Sequence, residues 1–123
     1  MKVAITSTGP ELGSAFESRF GRAPLFLVYD LEKDTFTAVD NSVNMAAAQG
    51  AGLQAAQAVV SAGAAAVITG HVGPKAFQAL SAAGVQVFTA TAVTVAEALS
   101  LLERNELVEL KAADALGRGG RGR

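Results

Sequence analysis

Ala64-Ala65-Ala66-Val67-Ile68-Thr69, then Gly70-His71-Val72-Gly73-Pro74, then Lys75 to Gly84, then Val85-Gln86-Val87-Phe88 is the stretch on which the fold turns. The first run is short and apolar, which reads as a buried strand. Gly70 to Gly73 makes a tight loop. Pro74 takes the first helical position, where its missing N–H is one that a helix leaves unpaired anyway. Phe77 and Leu80 share the buried face of that helix, and Gly84 ends it. Val85–Phe88 is the next strand, so the stretch is a strand–helix–strand unit that calls for a parallel pair.

Working outward toward the N-terminus, a helix is expected over Ala47–Ala62. Leu53, Ala56, Val59 and Val60 form its apolar stripe, and Gly63 its stop. Asn41 to Asn44 reads as a loop. Leu25–Tyr29 is apolar on both sides and reads as a central strand. Glu32-Lys33-Asp34 is a turn, and Thr35–Asp40 alternates as an outer strand does, so the two strands form an antiparallel hairpin. Lys2–Thr6 is a buried strand broken by Gly9-Pro10, and Glu11 to Pro24 reads as an irregular connection. Toward the C-terminus, Thr94-Val95-Ala96-Glu97 fits the S/T-x-x-E capping box. The helix it opens carries Val95, Leu99 and Leu102 on one face and Arg104 in its last turn. Leu107 to Leu110 adds a short extended piece.

The element order is therefore β-β-β-α-β-α-β-α. It predicts an α/β fold built on a five-stranded mixed sheet of order 3-2-1-4-5, with helices on both faces, which is the ribonuclease H-like arrangement. The domain is expected over residues 1–110. Residues 111–123 form a tail, and its Gly117–Arg123 contains only Gly and Arg, so it is expected to be disordered.

Composition narrows the chemistry. The 123 residues are 50% hydrophobic and 17% charged, with a net charge of −1, which gives no global attraction to nucleic acid or to an anionic membrane. There is no cysteine, which excludes disulfides, thiolate nucleophiles and cysteine-held zinc or iron–sulfur centres. No run reaches the ~18 apolar residues of a membrane span. No signal peptide is read at Met1–Ile5, and a cytoplasmic location is the default expectation.

Ligands of open α/β sheets bind beyond the carboxyl ends of the parallel strands. Those ends carry Ser7 and Thr8, His71, and Thr89 and Thr91. The amides of Lys75 and Ala76, in the first turn after Pro74, favour an anion together with the helix dipole. Arg19 and Arg22 bracket Phe20-Gly21 and add positive charge if that segment folds over the rim. Each feature also has a plain structural reading. Gly70 and Gly73 suit a tight turn, His71 a solvated loop, and the arginines surface pairs with Glu11 or Glu17. For the loop taken alone the structural reading weighs more, and for His71 the two readings balance.

Other patterns fail on context. Gly50-Ala51-Gly52-Leu53-Gln54-Ala55 matches the dinucleotide fingerprint by letter but follows no strand. Its glycines fit close backbone packing or close approach to a ligand instead. Gly70 to Lys75 is too short for a phosphate-binding P-loop. A metal nuclease needs clustered carboxylates on the first strand and after the fourth, and neither place has one. The Gly/Arg tail resembles RNA-binding segments, but it is short and has no aromatic residue.

Arg19-Phe20-Gly21-Arg22-Ala23-Pro24, followed by Phe26-Leu27-Val28-Tyr29-Asp30, opens a longer pattern. It continues through Gly70-x-x-Gly73-Pro74-x-Ala76-Phe77-x-x-Leu80-x-x-Ala83-Gly84-Val85 and Thr94-Val95-x-Glu97-Ala98. In this order and spacing the chain resembles the dinitrogenase iron–molybdenum cofactor biosynthesis family over roughly residues 1–110. The resemblance implies a ribonuclease H-like fold. It also implies a non-catalytic carrier or accessory role toward an anionic iron–sulfur or iron–molybdenum-type cluster or its precursor, with cofactor-biosynthesis proteins as partners. Together with the rim chemistry above, this leaves a candidate binding set of Arg19, Phe20, Gly21, Arg22, Gly70, His71, Gly73 and Lys75, with His71 as the one candidate metal ligand. Where relatives carry histidine before the Phe-Gly and before the first helix, this chain has Arg19 and Gln49. The alternatives are a small-molecule or anion-binding regulatory domain and, behind it, a metal-dependent hydrolase.

Overall fold

The structure, a computed structural model, describes residues 1–45 and 50–111. Its sheet has six strands in the order β3-β2-β1-β4-β5-β6. These are β1 (Lys2–Ser7), β2 (Leu25–Asp30), β3 (Thr35–Asp40), β4 (Ala66–Thr69), β5 (Gln86–Thr89) and β6 (Val108–Glu109). The pairs β1/β4 and β4/β5 are parallel, and β1/β2, β2/β3 and β5/β6 are antiparallel. The sheet thus has one strand more than the sequence order predicts. The extended piece at Leu107–Leu110 pairs with β5 through Phe88 and Thr89, and the Leu110 amide donates to the Val87 carbonyl at 2.7 Å.

Both faces of the sheet are covered, which is why β1 and β4 read as unbroken apolar runs. On one face, Ala4, Phe26, Val28, Val67 and Val87 pack under two helices, α2 (Ala51–Ser61) and α3 (Pro74–Ala82). On the other, Val3, Ile5, Leu27, Ala66 and Ile68 pack under α4 (Val95–Glu103). Ile5 lies in register with both Leu27 and Ile68. All three are fully buried, and each such side chain stabilises the fold by roughly 1.5–3 kcal/mol over exposure.

Helix ends follow local chemistry. Gly63 and Gly84 take φ of +84° and +79° and close α2 and α3 with paired 6→1 and 5→2 bonds. Thr94 caps α4 by accepting from the Glu97 amide at 3.1 Å. The Glu97 carboxylate reaches back to the Val93 amide at 2.7 Å, one residue earlier than the standard box. Arg104 stands just past the last turn, as the C-cap residue of α4.

Three local expectations are corrected. Residues Ser42–Met45 form a short helix, α1, rather than a loop, and the Asp40 carboxylate accepts from the Ser42 amide at 2.8 Å at its start. The following helix does not run on through Gly50, whose φ of +77° is left-handed, so α2 begins at Ala51. The expected start at Ala47, and Gln49 with it, lie outside the described residues. The buried stripe of α2 is Ala51, Ala55, Ala56 and Val59, while Leu53 and Val60 stay exposed. Small side chains let α2 sit close on α3 (a Cβ on Gly52 would lie 3.3 Å from that of Ala76), and this turns the contact face by about one position. The Gly/Arg tail also lies outside the described residues, and among those described no helix is long and apolar enough to cross a membrane.

Candidate functional site

The connection between β1 and β2 is irregular, as expected, but it is tied down. It bridges β1 at Phe16, residue Thr94 at Ala15 and residue His71 at Arg19, and it ends in a 3-10 turn at Phe20–Arg22. Residues Ser18–Phe20 cross the carboxyl end of β4 as a strap. The Ser18 carbonyl accepts from the amides of Gly70 at 3.0 Å and His71 at 2.7 Å, and the Phe20 amide donates to the His71 carbonyl at 3.1 Å. A Cβ on Gly70 would meet Ser18 at 2.8 Å. Gly70 therefore answers to this crossing.

Phe20 anchors the strap. Its ring is 2% exposed and packs 5.3 Å from that of Phe26. It lines the neighbouring cleft as a wall held by the core. Gly21 follows against the N-terminus of α2, so the strap leads directly into a cleft of about 340 Å³. Gly52 and Leu53 of α2 and Lys75 and Ala76 of α3 line it. Those are the second and third helical positions of both helices, where backbone N–H groups have no partner within the helix. No side chain caps either end. Two helix dipoles, each equivalent to roughly half a positive charge, converge there beside the exposed Lys75. No carboxylate is among the lining residues.

Gly73 caps α3 with an ordinary φ of −77°, and a Cβ added to it would meet nothing within 4 Å. Neither the turn nor the packing demands a glycine there. Its bareness leaves the cleft wall open.

The expected constellation is divided by the strap. His71 is exposed and lines a separate depression of about 220 Å³ with Ser18 and Thr91, on the far side from Lys75. Arg19 pairs with Glu17. Its Nε lies 3.0 Å from Oε2 and its Nη2 3.4 Å from Oε1, and its amide also donates to Oε2 at 3.0 Å. The bond from Arg19 holds the Glu17 carboxyl below its ordinary range. Arg22, exposed, closes the 3-10 turn. Ser7 is buried and its hydroxyl donates to the Gly9 carbonyl, so it belongs to the turn.

Among the described residues there is no group of three or more His, Cys, Asp or Glu side chains fit to hold a metal ion. Asp30 and Asp40 sit at opposite ends of the β2–β3 hairpin, where they pair with Thr35 and Leu25. They cannot share a metal. Of the two partners the sequence offers the arginines, Glu11 and Glu17, the structure pairs Glu17 with Arg19. Sequence reasoning missed the second helix N-terminus in the cleft. The glycines of Gly50-Ala51-Gly52 were its only signal.

Residues 1–105 match the family model described as dinitrogenase iron–molybdenum cofactor. The chain belongs to that family. Among solved structures, this family member is similar to the apo form of the orange protein of Desulfovibrio gigas, at 38% identity and a TM-score of 0.87. That alignment covers 90% of this chain and 93% of the other. It is also similar to an NMR structure from Thermotoga, provisionally assigned as a NifB protein. There the identity is 39% and the TM-score 0.81, with 90% and 94% of the chains covered. A crystal structure of a protein from Methanocaldococcus jannaschii, provisionally assigned as a dinitrogenase, shares the fold. Its TM-score is 0.68 at 17% identity, with 91% and 96% covered. No curated protein sequence matches the chain.

Proposed function

We propose that this family member is a non-catalytic carrier for an anionic metal–sulfur cluster of the iron–molybdenum type or its precursor, held in the cleft between the N-termini of α2 and α3. One observation supports this above the rest: two uncapped helix N-termini and Lys75 face a carboxylate-free cleft whose Gly73 wall is bare. Backbone amides in such an arrangement bind negative charge without any protein ligand to metal. The fit is to a cluster that brings its own sulfur, because the chain has no thiolate and its single histidine lies across the strap. Arg22 adds charge at the rim, Arg19 adds its own once released from Glu17, and Gly70 and Phe20 keep the strap in place. The family and the apo-form relative agree with a binding role, and cofactor-assembly proteins in the cytoplasm are the partners that role requires.

A second reading has the same donor set in its favour. Amides and one ammonium group hold an oxyanion as well as a cluster, which suits an anion-binding regulatory domain. Anaerobic incubation with an isolated iron–molybdenum-type cluster, followed by gel filtration, separates the two. The carrier retains the cluster's visible absorbance with the protein peak. Loss of all absorbance from that peak, with molybdate or sulfate still bound, overturns the carrier in favour of the regulatory domain.

A further inference from the structure

The strap carries its own counter-charge. Glu17 is anchored through its backbone to β1, since its amide donates to the Thr6 carbonyl at 3.2 Å and the Thr6 hydroxyl donates to its carbonyl. Its side chain is 13% exposed, while that of Arg19 is 65% exposed. The Arg19 backbone is fixed by its bridge to His71. The guanidinium can therefore leave the carboxylate without unpacking anything, whereas the carboxylate stays where it is. Arg19 lines neither depression itself, but its chain neighbours do, Ser18 the one beside His71 and Phe20 the cleft, and its bridge to His71 sets it at the carboxyl end of β4.

We infer that Glu17 is a charge gate: it holds Arg19 in a neutral pair that only a multiply charged anion opens, so the rim selects dianions and higher over monoanions. This rests on the rim being an anion site, as proposed above. A monoanion that takes Arg19 from Glu17 exchanges one carboxylate-like partner for another and leaves Glu17 uncompensated and partly buried, so it gains nothing. A dianion doubles the Coulomb attraction to the guanidinium and recovers that cost.

Binding of sodium molybdate and sodium nitrate to the full chain at low ionic strength, followed by amide NMR shifts, tests the gate. Wild type is expected to show shifts at the Arg19 amide with molybdate and none there with nitrate, whatever nitrate meets at Lys75 and the helix amides. Glu17→Gln is expected to bind molybdate about three- to tenfold tighter and to acquire nitrate shifts at the Arg19 amide, because one screened negative charge has gone from the rim. Arg19→Gln is expected to bind more weakly, and the double variant to return near wild type. Arg19→Lys leaves Glu17 intact but loses the side-on fork, and should also admit nitrate, which keeps the test decisive should Glu17→Gln fold poorly. The gate is overturned if Glu17→Gln binds molybdate no tighter than wild type, or if the double variant keeps the gain. If neither wild type nor Glu17→Gln binds molybdate, the anion site itself falls and the gate with it.

Discussion

Gly21 lies directly against the backbone of Gly52: a Cβ on Gly21 would sit 2.9 Å from the Gly52 amide nitrogen and 3.0 Å from its Cα. This contact sets the strap's 3-10 turn on the N-terminus of α2, and so sets one wall of the cleft. Both partners are backbone atoms, which cannot swing aside as a flexible side chain would.

Gly21→Ala should therefore destabilise the protein by about 1–3 kcal/mol, the usual cost of overpacking. For a domain of this size that is a loss of roughly 5–15 °C in Tm. Thermal unfolding followed by circular dichroism measures it. A variant as stable as wild type would mean that the turn and α2 part freely, and the cleft would not be pre-formed.

Gly73→Ser separates stability from binding. Gly73 already has the extended backbone of a helix N-cap, and a side chain there meets nothing. A serine hydroxyl would accept from an amide in the first turn of α3 and stabilise the helix by a few tenths of a kcal/mol. It would also occupy a donor that the cleft offers to an anion. Tm should stay level or rise slightly while molybdate affinity falls several-fold, as isothermal titration would show.

Much of this architecture was legible. The apolar runs at Val3–Ile5 and Val67–Ile68, the Gly63 and Gly84 stops and the Thr94 cap are local signals, and each specifies its own element. The sixth strand was only half legible: Leu107–Leu110 reads as extended, but its pairing depends on the exposed edge of β5 being within reach. The buried face of α2 was misread because the pattern weights Leu53 and Val60 by size. The contact with α3 is made by alanines, whose value lies in how closely they let two helices approach. The rim residues were placed correctly at the strand ends. Their division into two depressions depends on the strap crossing at Ser18, a long-range backbone contact that no spacing encodes.

Acid should weaken the fold through the same strap. The bond from Arg19 lowers the Glu17 carboxyl below its ordinary 4.5, and the Ser42 amide lowers that of Asp40 below 3.8. A carboxyl depressed in the folded state contributes stability above its unfolded value, and that contribution disappears as pH falls through the folded value. Stability should be flat with respect to these two groups near neutral pH and decline below about pH 4.5. In urea titrations from neutral to acid pH, Glu17→Gln should show a shallower acid decline than wild type. An unchanged slope would mean that the pair forms equally in the unfolded chain.

Lys75 and His71 are only four residues apart, yet they face different depressions on either side of the strap. Charge-held and ligand-held cargo therefore make opposite forecasts. If the amides of α2 and α3 and the Lys75 ammonium hold the cluster, Lys75→Gln should weaken its retention about three- to tenfold, with an effect that shrinks as salt is added. His71→Ala should then change retention by less than about twofold, since surface substitutions away from a contact are nearly neutral. A ligand-held cluster would reverse the ranking. The His71 variant would lose the cargo, the loss would hold at high salt, and the cluster's visible spectrum on the protein would change because an imidazole had left a metal.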